Sequence, residues 1–210
     1  MIINQDTNHR IILASASPRR KELLEAIGVQ FIVRPSEVEE LMDPDEIPED
    51  QVQRLAFEKA SDVAKRYPES WVLGADTIVV IDGRILGKPS DRAEAEYMLS
   101  TLSGKTHTVF TGYAILNLSF PGLNIVGSSR SEVLIRQLTR DEIKGYVDTG
   151  EPMDKAGAYA IQGVGAAIVE KVYGSYTNVV GLPLCEVGRD FKKLGIFDFL
   201  GVHQDDKRKS

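Results

Sequence analysis

Apolar residues recur along this chain with two periods, and the switch between them marks the elements. Arg10–Ser15 (RIILAS) predicts a short buried strand and Val29–Val33 a second. Between them Leu23, Leu24 and Ile27 form an apolar stripe on a helix from Pro18 to Ile27. Ser17 stands at its N-cap, proline at its first position and Gly28 at its close. After an acidic, proline-containing loop from Pro35 to Asp50, residues Val52, Leu55, Ala56, Ala60, Val63 and Ala64 recur at helical spacing over Gln51–Tyr67. Trp71–Leu86 predicts strands broken at Gly74 and turned at Asp82-Gly83, a hairpin signal. Asp91 with Glu94, and Thr139 with Glu142, have the spacing of capping boxes for two helices that stop near Gly104 and Gly150. Thr106–Leu118 and Ser129–Leu138 predict two long antiparallel strands, Ala166–Val172 a further strand and Pro183–Leu194 a closing helix.

β–α units followed by antiparallel strands fit an α/β fold, a mixed sheet flanked by helices with two lobes around a cleft. There is no internal repeat, and no linker or shift of composition marks a boundary. A single domain over residues 1–200 is expected, with a charged C-terminal tail over 201–210.

Composition narrows the class. The 210 residues are 42% hydrophobic and 27% charged, an ordinary globular balance. No apolar run approaches the roughly 20 residues of a membrane span. Residues 1–10 lack the apolar core of a signal peptide. The one cysteine, Cys185, excludes an internal disulfide framework and a multi-cysteine zinc site; it is expected to pack on the last helix. A cytoplasmic location with no membrane partner is the expectation. Lys and Arg number 25 against 31 Asp and Glu, a net charge of -6. That balance argues against a nucleic-acid partner, whose backbone demands a positive surface. A small polyanion remains admissible where cations gather in one pocket.

Such a gathering is present in Ser15-Ala16-Ser17-Pro18-Arg19-Arg20-Lys21. Three cations in a first helical turn oppose the helix dipole, each at a cost of a few tenths of a kcal/mol. With the free amides of a helix N-terminus and the nearby hydroxyls they suggest a phosphate cradle. A solvated basic turn, paired with Glu22 and Glu25, accounts for the same residues equally well. In Val72-Leu73-Gly74-Ala75-Asp76-Thr77 an apolar strand ends in a carboxylate, which needs a metal, a cation or a reacting proton if it is buried. A turn-forming aspartate is the plain alternative. Glu39 and Glu40 offer a second carboxylate for a hard cation, or simply a solvated loop. Lys59 fits an ordinary surface lysine; Lys88, between Gly87 and Pro89, is more rigidly presented. Gln162, before Gly163-Val164-Gly165, either meets a base edge or ties down its own loop. P-loop, dinucleotide and nucleophile-elbow motifs are absent. His9, His107 and His203 have no metal-ligand spacing, and His107 is expected to hold a hydrogen bond in its strand.

Leu13-Ala14-Ser15-Ala16-Ser17-Pro18-Arg19-Arg20 resembles the N-terminal signature of the Maf family of nucleoside triphosphate pyrophosphatases. Further blocks follow in the family's order: Arg54-Leu55-Ala56 with Lys59-Ala60, Gly74-Ala75-Asp76-Thr77, Lys88-Pro89, and Leu102-Ser103-Gly104 with His107. Gly150-Glu151-Pro152, Asp154-Lys155-Ala156-Gly157-Ala158-Tyr159, Ile161-Gln162-Gly163 and Asn178-Val179-Val180-Gly181-Leu182-Pro183 complete them. The resemblance implies an elongated, inosine triphosphate pyrophosphatase-like fold. It implies hydrolysis of a nucleoside triphosphate to the monophosphate and pyrophosphate with Mg²⁺ or Mn²⁺.

On this resemblance Asp76 is the proton acceptor or the metal ligand that activates water. Arg19, Thr77 and Gln162 select the substrate, and match the branch acting on dTTP and UTP. Ser15, Arg19, Arg20, Lys59 and Lys88 bind phosphate, and Asp76 with Glu40 holds the metal. Glu37 and Glu39 stand where the family more usually has aspartate. The resemblance also implies two other functions: a nucleotide-binding regulator of cell division with little turnover, and a pyrophosphatase for modified or 7-methyl-guanine nucleotides. Related proteins are often homodimers, with the two long strands as the candidate edge.

Overall fold

The computed structural model describes residues 11–43 and 45–198; Arg10, His9, His203 and the expected tail lie outside them. One mixed sheet of seven strands runs through these residues, in the order β2-β1-β3-β5-β6-β7, with β4 hairpinned onto β3. β1 (Ile11–Leu13) is parallel to β2 (Phe31–Val33) and to β3 (Trp71–Ile81). β4 (Arg84–Leu86), β5 (Thr106–Leu116), β6 (Ile125–Ile135) and β7 (Val169–Tyr173) add antiparallel pairs. Helices α1 (Pro18–Ala26), α2 (Pro48–Arg66), α3 (Arg92–Leu102), α4 (Arg140–Asp148), α5 (Tyr176–Val180) and α6 (Leu184–Leu194) flank it. None of the described helices is long and apolar enough to cross a membrane.

Side-chain alternation along β3 sorts the core, because successive residues of a strand face opposite sides. Trp71, Leu73 and Ala75 pack with Leu24 of α1 and with Val187, Phe191 and Leu194 of α6. Val72 instead packs with Ala56, Ala60, Val63 and Ala64 of α2. Farther along, Val79 and Ile81 enter a third cluster with α3, α4 and β6. The long strands thus carry two helix layers at one end and a separate core at the other.

Several expected boundaries move, each for a local reason. β3 passes unbroken through Gly74, which serves close packing: a Cβ there would lie 2.7 Å from the Ala60 nitrogen of α2. α2 begins at Pro48, whose fixed φ suits a first turn. Thr139 and Glu142 form the full capping box. Asp91 caps the Glu94 amide at 2.8 Å, but the Glu94 carboxylate bonds Ser90 instead. Ser17 occupies the N-cap of α1 without a side-chain cap bond. Residues 163–167 form a 3₁₀ turn before β7, and α5 carried too weak a periodicity to be expected. Cys185 does lie on α6 but faces solvent. β5 cannot be an edge, since β3 and β6 flank it; on β6 only Ile125–Ser131 lacks an outer strand among the described residues.

His107 holds the expected hydrogen bond, Nε2 to the Tyr159 hydroxyl at 2.7 Å, while its buried Nδ1 finds no partner. Burial lowers its pKa to about 4, against ~6.5 in an unfolded chain. As pH falls through 6.5 the unfolded chain takes up the proton first. His107 therefore contributes stability that is complete above pH 6.5 and lost on the way to pH 4. Urea unfolding should show about 2 to 3 kcal/mol lost between pH 7 and 4.5 from this group. His107→Gln should flatten that dependence, and an unchanged slope would assign it elsewhere.

Candidate active site

β1 ends at Leu13 while β3 continues to Ile81, and β4 pairs β3 only from Val79 onward. The middle of β3 is therefore open on one side, beyond the carboxyl end of β1, where the chain turns into α1. Ligands of open α/β sheets bind at such a place. A pocket of about 340 Å³ lies there, walled by the β1–α1 turn, α2, β3, the Lys88 loop and the segment 154–162.

The alternation that sorts the core also sorts the chemistry. Asp76 falls on the α2 side of β3 and is buried. There Lys59 Nζ donates to Asp76 Oδ1 and to Glu40 Oε1, both at 2.6 Å. Lys59 is thus buried and bridging, and the surface-lysine reading fails. Burial would push the Glu40 carboxyl up, but the Lys59 hydrogen bond and the Lys59, Lys88 and Arg20 charges hold it below its usual range. Its loop is fixed by Arg54, which pairs with Glu46 at 2.7 Å and donates to the Leu41 carbonyl at 3.1 Å.

Thr77 falls on the other side and meets Arg20. Arg20 is buried, with Nη2 on Thr77 Oγ1 and Nη1 on Ser15 Oγ, both at 3.0 Å, and Nε on the Gly181 carbonyl at 2.8 Å. Thr111 Oγ1 donates to the Asn178 carbonyl at 3.0 Å, so the Thr77 proton goes to Thr111 Oγ1 at 2.9 Å. Both threonine hydroxyls are committed, and Arg20 is locked. Burial lowers its pKa, opposed by the charges of Asp76 and Glu40. Three of its five N–H groups are used, leaving two for an anion.

The three cations of α1 separate. Arg20 turns inward and Arg19 lines the pocket, its Nη1 3.7 Å from Asp154. Lys21 faces out toward Glu25 at 3.6 Å, as a solvated turn requires. Lys88 and Gln162 complete the lining. All the sequence-derived site residues thus border one pocket, whereas Glu37 and Glu39 do not. Gln162 does not tie down its loop, and its side-chain amide bonds no described residue. Lys155 joins the pocket without having been singled out, mostly buried and held by the Glu151 carbonyl at 2.7 Å. Its signal was its place in the block Asp154-Lys155-Ala156-Gly157-Ala158-Tyr159, within which it was given no role.

Five cations against three carboxylates line this pocket, in a chain of net charge -6. Concentrated positive charge, α1 amides without a side-chain cap and a buried carboxylate are features that suit an anionic ligand. The chain belongs to the Maf family: residues 10–194 match the family described as Maf-like protein. It is 49% identical to the dTTP/UTP pyrophosphatase of Syntrophus aciditrophicus, over 93% of this chain and 95% of that one. It is 53% identical to the dTTP/UTP pyrophosphatase of Geobacter metallireducens, over 90% and 97%. Among solved structures, the nucleoside-triphosphatase, or dITP/XTP pyrophosphatase, of Mycobacterium abscessus aligns over 88% of this chain and 97% of its own. That alignment has 17% identity and a TM-score of 0.41.

Proposed function

We propose that this chain hydrolyses dTTP and UTP to the nucleoside monophosphate and pyrophosphate, in the cytoplasm and with Mg²⁺ or Mn²⁺. The observation that carries the reading is the Lys59 bridge between Asp76 and Glu40, in the pocket that also holds Arg19, Thr77 and Gln162. Relatives about half identical over nearly the whole chain bear the name of that activity.

The donor set fits a divalent ion. Two carboxylates already converge on one cationic nitrogen, and no cluster of three or more metal-ligating side chains exists among the described residues. Mg²⁺ suits such a site, because it takes one or two protein carboxylates and fills its shell with water and substrate phosphates. Asp76 and Glu40 would hold the ion, which would neutralise charge on the phosphates and acidify water.

Asp76 accepts the proton of the attacking water. Arg20 offers its two remaining N–H groups to phosphate oxygens from a fixed position. Lys59 has one of its three donors left, and Lys88 and Lys155 extend the positive wall. Held in place before the substrate arrives, these groups stabilise charge growing on the departing pyrophosphate, with little reorganisation. Gln162, with donor and acceptor on one amide, matches the paired donor and acceptor of a pyrimidine edge. A homodimer through the open stretch of β6 is compatible with this site, which lies on the other side of β3.

The test is a panel of nucleoside triphosphates with Mg²⁺ and separate detection of pyrophosphate and phosphate. dTTP and UTP should release pyrophosphate. Chelation should abolish turnover, and added Mg²⁺ should restore it. Tight binding without turnover would favour a regulator and defeat this reading.

A further inference from the structure

One carboxylate, directly and through a tyrosine hydroxyl, clasps the segment that carries Gln162 on both sides of it. Glu151 opens the 3₁₀ turn that follows α4. Its Oε2 accepts the Val164 amide at 2.9 Å. Its Oε1 accepts the Gly165 amide at 2.9 Å and the Tyr146 hydroxyl at 2.8 Å. That hydroxyl in turn accepts the Ala160 amide at 3.1 Å. Ala160 precedes Gln162 and Val164 follows it, so both flanks are pinned to one charge while Ile161 and Gln162 span the pocket wall.

The glycines show that the approach is built. A Cβ on Gly163, whose φ is +65°, would run into Glu151 Oε2. One on Gly165 would strike the Tyr146 hydroxyl and the Ala160 carbonyl. Burial opposes ionisation of Glu151, but the Gly165 and Val164 amides outweigh it and hold the carboxyl below its usual range. An ionised carboxylate is acceptor-only, which matches the three donors around it.

We infer that Glu151, with Tyr146 as its second arm, is a positioning residue for nucleobase discrimination: it sets the wall, Gln162 foremost, that meets the base. This rests on the proposed pyrimidine nucleotide reading. Because the Gln162 amide is bonded to no described residue, no hydrogen bond of its own fixes it, and its place in the pocket follows its backbone. Recognition of a planar edge tolerates little displacement.

Glu151→Gln exchanges a carboxylate oxygen for an NH₂ group facing amide donors, and Tyr146→Phe removes only the hydroxyl. Steady-state kinetics would be measured on dTTP, UTP and dATP. Each variant should raise KM for dTTP about tenfold and narrow the dTTP/dATP ratio of kcat/KM by a similar factor, with kcat moving far less. Either change should add little to Gln162→Ala, since both act on one contact. A general folding defect would lower kcat on all three nucleotides alike and leave the ratio unchanged; that result overturns the inference. If Glu151→Gln does not fold, Tyr146→Phe decides alone. Should Gln162→Ala narrow the ratio while neither clasp variant does, the clasp is wrong. Should the clasp variants narrow it while Gln162→Ala does not, base contact by Gln162 fails and the clasp stands through Ile161.

Discussion

Asp76→Asn should cut kcat for dTTP by roughly 10³-fold while nucleotide binding persists. Asparagine keeps the shape and one acceptor oxygen but neither takes a proton nor holds a divalent ion with a full charge. Lys59 then retains only Glu40 as an ionic partner, on a residue that is half exposed. The substitution also weakens a bond between two buried groups, at a cost of about 1 to 3 kcal/mol. Calorimetric nucleotide binding, far-ultraviolet dichroism and pyrophosphate release on one preparation separate these effects. A folded variant with wild-type turnover would remove Asp76 from the chemistry. A folded variant that no longer binds nucleotide would instead place Asp76 in ground-state binding.

Gly74→Ala should damage fold and site together. The added Cβ would sit 2.7 Å from the Ala60 nitrogen and 2.9 Å from the Ala60 Cβ, with the Ala56 carbonyl closer still. These are helix backbone atoms and a Cβ fixed to that backbone, which no rotamer change can move aside. α2 must lift from β3, and Lys59, the neighbour of Ala60, lifts with it away from Asp76. A loss of about 2 to 3 kcal/mol is expected from such overpacking, or roughly 6 to 10 °C in Tm for a domain of this size. Activity should fall further than stability accounts for, because Lys59 bridges only at short range. Urea unfolding and kcat measured at a temperature where the variant is fully folded check both parts. Unchanged stability would show that α2 does not ride so close to the sheet. Gly112 plays the same part on β5: it pairs with Asp76, and a Cβ there would lie 2.6 Å from the Gln53 nitrogen.

The elements were legible where pattern was strong. α2 declared itself through six apolar residues at helical spacing, all of them buried, and β5 and β6 through long strand patterns that pair antiparallel as expected. α5 did not, because five residues carry less than two turns of pattern. Gly74 looked like a break since strands disfavour glycine; it is a packing residue, and only the helix above it reveals that. Arg19, Arg20 and Lys21 were one basic cluster in sequence and have three different environments in space.

The order of hydrophobic and polar positions by itself determined a mixed α/β fold and the absence of an apolar run long enough to span a membrane, while the chemistry was implied by the motifs that resemble a family. Those properties are local or compositional, and local spacing carries them. Tertiary structure alone decided which polar groups are spent and which are free. Asp76 and Thr77 are adjacent in sequence, yet the pleat sends one to Lys59 on α2 and the other to Arg20 on α1. The loop of Gln162 is held by a carboxylate eleven residues earlier, while its own side-chain amide bonds no described residue. Burial and hydrogen-bond partnership are set by the meeting of distant segments, and no spacing along one chain encodes them.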